Sequence, residues 1–206
     1  LGEACSRFGC LVHTYCLQSN QYHLLIETPN ANLSRAMRHI NGVYTQSYNR
    51  SQQSDGPLFK GRFKAIPFDH RRYLLKLSRY IHRRPIELNK PLVEELSDYR
   101  WSSFPAYVGN VEPYKWLRQD LIFEQLDGEV KHQTYGNYVM AGVDEQTAQL
   151  YSRSRLPRVI GDERFKQWVR EKALFAEAKM PLAQSGLTME QVIDGMANIY
   201  GVTCDE

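Results

Sequence analysis

The stretch that decides the fold runs Cys10-Leu-Val-His-Thr-Tyr-Cys-Leu-Gln18, Ser19-Asn20, then Gln21-Tyr-His-Leu-Leu-Ile-Glu-Thr28. Residues 10–18 and 22–28 are rich in Val, Ile, Leu, Tyr, Thr and Cys, types that suit a pleated and packed surface, and the polar pair between them reads as a turn. Two neighbouring strands of a mainly antiparallel sheet are expected. Working back, Gly9 closes a short helical start. Working forward, Asn32 or Ser34 can cap a helix to about residue 49, with Leu33, Met37, Ile40, Val43/Tyr44 and Ser47/Tyr48 at three- and four-residue spacing. Residues 51–57 form a polar Gly/Pro loop, and 58–66 read as a short hairpin or an extended arm around Gly61. Asp69 then caps a second helix over 71–84 with the stripe Leu74, Leu77 and Ile81. That helix stops before Pro85, because the residue before a proline is pushed out of the helical region.

Beyond Pro85 the texture changes. Asp98-Tyr-Arg-Trp-Ser-Ser-Phe104 is aromatic-rich and reads as a short helix packed onto the preceding elements. Helical stretches are expected near 117–126, 129–141 and 162–178, with a basic linker over 151–159 carrying Arg153, Arg155, Pro157 and Arg158. Thr188 can cap a last helix with Val192, Ile193, Met196 and Ile199 or Tyr200 on one face and Gly201 closing it.

With 206 residues, 42% hydrophobic and 24% charged, the chain can bury a sizeable core. No apolar run approaches the roughly 20 residues that span a bilayer, so no membrane partner is expected and the chain reads as soluble and cytoplasmic. It opens on Leu1 and ends at Glu206, which reads as a piece of a longer protein. Cys5, Cys10, Cys16 and Cys204 form no zinc-type spacing and read as reduced side chains. Charge is lopsided although the net is only +3: residues 32–84 hold twelve Lys/Arg against Asp55 and Asp69, and the remainder holds 14 basic and 21 acidic residues. Such segregation favours a polyanion-binding surface over mixed, solvated helix faces.

Six blocks carry a resemblance: the Tyr15–Pro29 run, Asn32-Leu-Ser-Arg-Ala-Met-Arg38, Gly42-Val-Tyr-Thr-Gln46, Leu58-Phe-Lys-Gly-Arg-Phe-Lys-Ala65, Tyr73-Leu-Leu-Lys-Leu-Ser-Arg-Tyr-Ile-His82 and Tyr99-Arg-Trp-Ser-Ser-Phe104. In this order, over about residues 1–109, the chain resembles the REP-associated tyrosine transposases of the single-tyrosine HUH superfamily. The resemblance implies an α+β fold, a ferredoxin-like antiparallel sheet with packed helices, followed by a helical C-terminal extension; the family's first strand is missing here. It implies single-stranded or hairpin DNA as partner, Mg²⁺ or Mn²⁺ as cofactor, and cleavage and joining of strands through a 5′-phosphotyrosine. The expected division is 1–109 for the transposase-like domain, 110–160 for a helical connector and basic linker, and 161–206 for a helical C-terminal region. Residues 187–203 resemble the opening of the DNA-binding domain of the bacterial replication initiator, and read equally well as an ordinary amphipathic helix.

Mapped onto this chain, the nucleophile position is Tyr80 and the metal-binding strand motif is Gln21-Tyr22-His23, with glutamine in place of the first histidine. Ligands at i and i+2 of a strand share a face, hence the skipped residue. A phenol with a pKa of about 10 is a weak nucleophile, so the family's cation polarises the phosphate it attacks. A third ligand, Asn or Gln, is expected one helical turn after the tyrosine, and Arg84 stands there. Gln21 can still offer an amide oxygen to a hard cation. Arg84 offers only positive charge: at about 4 Å and an effective dielectric of about 20, unit charges repel by about 4 kcal/mol, and a divalent ion feels about twice that. The same arginine would attract phosphate. Expected DNA contacts are Lys60, Arg62, Lys64, Arg71, Arg72, Arg79, Arg83 and Arg84. Three readings stay open: an active transposase, a catalytically impaired or inactive DNA-binding descendant with a degraded metal site, and an RNA binder using the basic and aromatic residues near Phe59–Phe63. A homodimer is also left open.

Overall fold

A computed structural model describes residues 1–151, 157–178 and 202–205. The chain starts with α1 (Gly2–Phe8), closed by Gly9 at φ 68°, whose N–H donates to Cys5 O. Only glycine adopts that left-handed conformation cheaply, and a Cβ here would also meet Asn30 Nδ2 at 2.7 Å. The decisive stretch forms β1 (Leu11–Leu17) and β2 (Tyr22–Glu27), paired antiparallel with Cys16 opposite His23 and Leu17 opposite Tyr22. Gln18 N–H donates to Gln21 O at 2.8 Å across the turn. One extra residue, His13, bulges out of the register between Val12 and Thr14. Its imidazole is turned to Glu27 Oε2 and Arg118 O, each at 3.3 Å.

Residues 22–26 are buried without interruption, which explains their almost continuous apolar run rather than strict alternation: both sheet faces are covered. Next come α2 (Leu33–Gln52), β3 (Lys64–Pro67) and α3 (His70–Arg83). Asp69 Oδ1 accepts the Arg71 N–H at 3.1 Å, so the expected cap of α3 forms. Asn32 occupies the cap position of α2 but its side chain is used elsewhere, donating to Phe8 O at 2.7 Å and tying α2 to the end of α1.

After a 3-10 turn at Leu96–Asp98 follow α4 (Phe104–Tyr107), α5 (Asp120–Glu124), α6 (Lys131–Met140), α7 (Glu145–Tyr151) and α8 (Glu163–Ala178). The helix expected over 117–126 is shortened because Leu117 forms a bridge with Val12 and Arg118 N–H donates to Val12 O, holding this segment against β1. Finally β4 (Val202–Asp205) lies between β2 and β3, antiparallel to both, giving the sheet order β1-β2-β4-β3.

The fold is α+β, an antiparallel sheet with helices packed on it. α3 lies against β1 and β2, while α5, α6 and α7 pack in turn against α3. One apolar core joins Leu24, Leu25, Met37, Leu74, Leu77 and Ile81 to Leu117, Ile122, Leu126, Tyr135 and Val139. It therefore crosses the expected boundary at residue 109, and the segment expected as a connector supplies core side chains. Val169 has a small separate cluster with Val159, Phe165 and Trp168. The helix expected at 188–200, residues 187–201 of the initiator-like segment and residues 152–156 of the expected linker lie outside the described residues. Among the described residues no helix is long and apolar enough to cross a membrane.

Candidate nucleic-acid interface

The sheet and α3 place the candidate side chains. Alternation along β2 sends His23 and Tyr22 to opposite faces. On α3 the 3.6-residue period puts Leu74, Leu77 and Ile81 into the core, and turns Tyr80 toward the His23 side. The Tyr80 and His23 rings meet edge to face, with centroids 6.2 Å apart and planes at 80°. Both are mostly covered, at 7% and 3% exposure. Arg84, the residue that ends α3, lays its guanidinium 5.4 Å from the Tyr80 ring centroid. This is the one-turn neighbour relation of an i, i+4 pair, strengthened by the attraction of a cation for an aromatic face. Arg84 Nε is buried with no hydrogen-bond partner among the described residues. Burial pushes the Cys16 thiol, opposite His23 in register, up to about 12 against the pull of Arg84, so Cys16 is a neutral neighbour.

Gln21 lies just before β2, and its Nε2 donates to Gln18 Oε1 at 3.1 Å within the turn. Among the described residues no group of three or more His, Cys, Asp or Glu stands together in a way that could hold a metal ion. As donors for a divalent cation the residues here do not fit. Among the described side chains one imidazole and one carboxamide remain, and a guanidinium sits on the tyrosine where a third neutral ligand would be needed. A phosphate oxygen fits the same place better, since Arg84 has an unused donor and positive charge.

The eight expected DNA contacts separate into distinct groups. Lys60, Arg62, Lys64, Arg71 and Arg72 are exposed. Arg72 also reaches Asp162 at 3.1 Å and Asp69 at 3.6 Å. Arg79 is turned inward instead: it is 8% exposed, donates from Nη2 to Asp144 Oδ2 at 2.7 Å, and lies 4.2 Å over the Tyr138 ring. Arg83 is similarly engaged, with Nε on Glu87 at 2.7 Å and Nη1 on Val139 O at 2.9 Å. These two arginines tie α3 to its neighbours, because the 110–151 segment brings Tyr138, Val139 and Asp144 over that flank. Asp144 is 65 positions from Arg79, and no local pattern in the sequence announces the pair.

A further group was read from sequence only as part of a helical stripe. Tyr44 and Tyr48 are 55% and 40% exposed, so the apolar stripe of α2 leaves the core after Ile40. Their rings lie 6.3 Å apart and Tyr44 lies 6.2 Å from Phe59 of the following arm. The signal was present in the polar residues that surround both tyrosines in Asn41–Arg50.

Residues 1–84 match the family model of IS200-like transposases. No curated protein and no solved structure matches the chain. The match supports the transposase family for this segment, which ends on Arg84 and contains Gln21, His23 and Tyr80. The family implies a transposase-type, DNA-binding function.

Proposed function

We propose that this chain binds single-stranded or hairpin DNA through the basic 60–72 region, and holds one backbone phosphate between Arg84, Tyr80 and His23. Strand cleavage at that place is slow or absent. The observation that carries the reading is the Arg84 guanidinium on the Tyr80 ring with a buried, unpartnered Nε. A buried donor without a partner is costly, and a phosphate oxygen satisfies both its hydrogen bond and its charge. The exposed Lys60, Arg62, Lys64, Arg71 and Arg72 supply the sequence-independent attraction for the rest of the backbone.

A second reading is favoured by the contact of Tyr80 with His23. In it, Tyr80 Oη attacks the phosphorus, an O–P bond to the 5′-phosphate forms, and the bridging oxygen leaves as a 3′-hydroxyl carrying a proton. His23 is near enough to orient the phenol in that step. Arg84 is the cation placed on the Tyr80 ring, and among the described residues no cluster of His, Cys, Asp or Glu could hold a metal ion, so the binding reading is preferred.

One experiment separates them. A labelled single-stranded oligonucleotide and a hairpin are incubated with the protein and Mn²⁺, and covalent adducts are resolved under denaturing conditions. The expected result is retention without adduct for the unaltered chain, and adduct formation once Gln21→His and Arg84→Asn are combined. Tyr80→Phe should abolish that adduct. An adduct on the unaltered chain at an ordinary enzymatic rate, lost in Tyr80→Phe, would overturn the proposal in favour of an active transposase.

A further inference from the structure

Four aromatic rings climb outward from the sheet. Tyr22 and Phe59 have centroids 5.9 Å apart at 84°, Phe59 and Tyr44 6.2 Å at 44°, and Tyr44 and Tyr48 6.3 Å at 36°. The inner end is fixed: Tyr22 is 9% exposed and its hydroxyl donates to Asn41 Oδ1 at 2.8 Å. The outer end is open to solvent. The loop after α2 folds back along it, with Asn49 Nδ2 donating to Gly56 O at 2.9 Å and Ser54 N–H to Asn49 O, which returns Phe59 to the helix.

Exposed aromatic surface of this kind asks for a partner, and charge selects which. From Leu33 to Gln52, α2 contains Arg35, Arg38 and Arg50 and no acidic residue, and the arm beside it adds exposed Lys60, Arg62 and Lys64 against Asp55 alone. A second copy of the chain related by a two-fold axis would bring these like charges together. A polyanion bearing flat, weakly hydrated rings meets both features: cations take the backbone and tyrosine faces take the bases. Tyr22 and His23 point to opposite faces of β2, so this surface is separate from the Tyr80–Arg84 cluster.

We infer that the Tyr44–Tyr48 edge of α2, backed by Phe59, is a stacking platform for unpaired bases of single-stranded DNA. The inference rests on the DNA-binding reading above and adds where and how unpaired nucleotides are held. Tyr44 and Tyr48 stack on successive or alternate bases, and Lys60 and its neighbours on the arm contact the phosphates between them.

The test uses the whole chain and a 20-nucleotide oligo(dT), which cannot form a hairpin, with binding read by fluorescence anisotropy over a salt series. Tyr44→Ala with Tyr48→Ala is expected to weaken binding by about tenfold or more, since each stacked base contributes appreciably. The salt slope should stay unchanged, because stacking releases no counterions. Tyr44→Phe with Tyr48→Phe should bind as the parent does, and 5-iododeoxyuridine in the oligonucleotide should photocrosslink to Tyr44 or Tyr48. Circular dichroism of the alanine variant should match the parent, as expected for exposed positions. If the parent binds oligo(dT) and the alanine variant binds equally well, the platform is refuted while the DNA-binding reading stands. If the parent binds neither oligo(dT) nor a hairpin, both fall. Tighter binding of oligo(U) than of oligo(dT), or a dimer that dissociates in the alanine variant, would also overturn it, in favour of RNA or of a self-association face.

Discussion

The two flanks of α3 carry hydrogen-bonding groups of similar kinds and put them to opposite uses. On one flank His82, fully buried, sits between Tyr135 Oη at 2.7 Å from Nδ1 and Ser103 Oγ at 2.6 Å from Nε2. Tyr135 donates to Ser78 Oγ at 3.0 Å, and Ser78 donates to Leu75 O at 2.8 Å. Tyr135 must therefore accept from His82 Nδ1–H, leaving Nε2 to accept from Ser103. Every polar atom of the imidazole has a partner. On the other flank Arg84 sits on Tyr80 with Nε unused. A closed network holds a fold together, and an open one keeps capacity for a ligand.

The largest expected effect lies on the closed flank. His82→Ala would strip Ser103 and Tyr135 of a partner and leave a hole among Phe104, Tyr107 and Tyr135. A loss of about 3–5 kcal/mol in urea denaturation is expected. Tyr135→Phe, which keeps the ring, should cost about 1–3 kcal/mol. A loss below about 1 kcal/mol for His82→Ala would show that the network is not what secures α3.

The same burial makes a pH prediction. Burial pushes the His82 pKa down to about 3, from an ordinary value of about 6.5. Between these values only the unfolded chain takes up the proton. The contribution of a neutral His82 is complete above about pH 6.5 and is lost as pH falls toward 3, by an amount on the order of a few kcal/mol. Carboxylates add a loss in the same direction at lower pH: Glu27 is held low by the His13 hydrogen bond, and Asp144 is lowered although burial opposes it, through Thr147, Lys76 and Arg79. Stability measured from pH 7 to 5 in the parent and in His82→Gln isolates the histidine: the slope should become shallower in the variant, leaving the part due to His70, whose pKa burial also lowers.

An intermediate effect belongs to Arg79. Arg79→Ala removes the Asp144 ion pair and the contact with Tyr138. A loss of about 2 kcal/mol is expected, because the guanidinium is buried and Asp144 keeps Thr147 as a partner. The salt dependence of DNA binding should not change. A flatter salt slope in this variant would return Arg79 to the DNA surface.

These contrasts show what could be read from sequence. The strand pair at 11–27, the Asp69 cap and the Leu74–Leu77–Ile81 stripe were legible because turn, cap and periodicity are local signals. The His23–Tyr80–Arg84 grouping followed from a resemblance, and the structure brings these three side chains together. Local signals do not say which flank of a helix will be covered by a segment 60 residues later. Arg79 and Arg83 therefore looked like surface cations until Tyr138, Val139 and Asp144 were seen to lie over them. The helix at α2 was legible from its spacing, but the exposure of its far end was not, because Tyr44 and Tyr48 keep the apolar spacing of the helix after its core contacts have ended.

The smallest effect on stability and the sharpest effect on binding are expected together, at Arg84. Its cation–π contact with Tyr80 contributes about 1 kcal/mol or less near the surface, and no ion pair to Arg84 is made among the described residues. Arg84→Ala should thus leave urea denaturation nearly unchanged. If Arg84 holds a phosphate through a charge-assisted bond, hairpin affinity should fall by about tenfold and the salt slope should drop by about one counterion. Arg84→Lys separates charge from shape. Lysine keeps the positive charge, so the slope should recover, but an ammonium cannot offer two parallel donors or lie flat on a ring, so affinity should recover only in part. Full recovery with lysine would mean that Arg84 acts as a point charge on a general basic surface. A fall in stability as large as that of His82→Ala would mean that the flank taken here as open is closed by contacts of its own, and the contrast between the two sides of α3 would no longer distinguish structure from function.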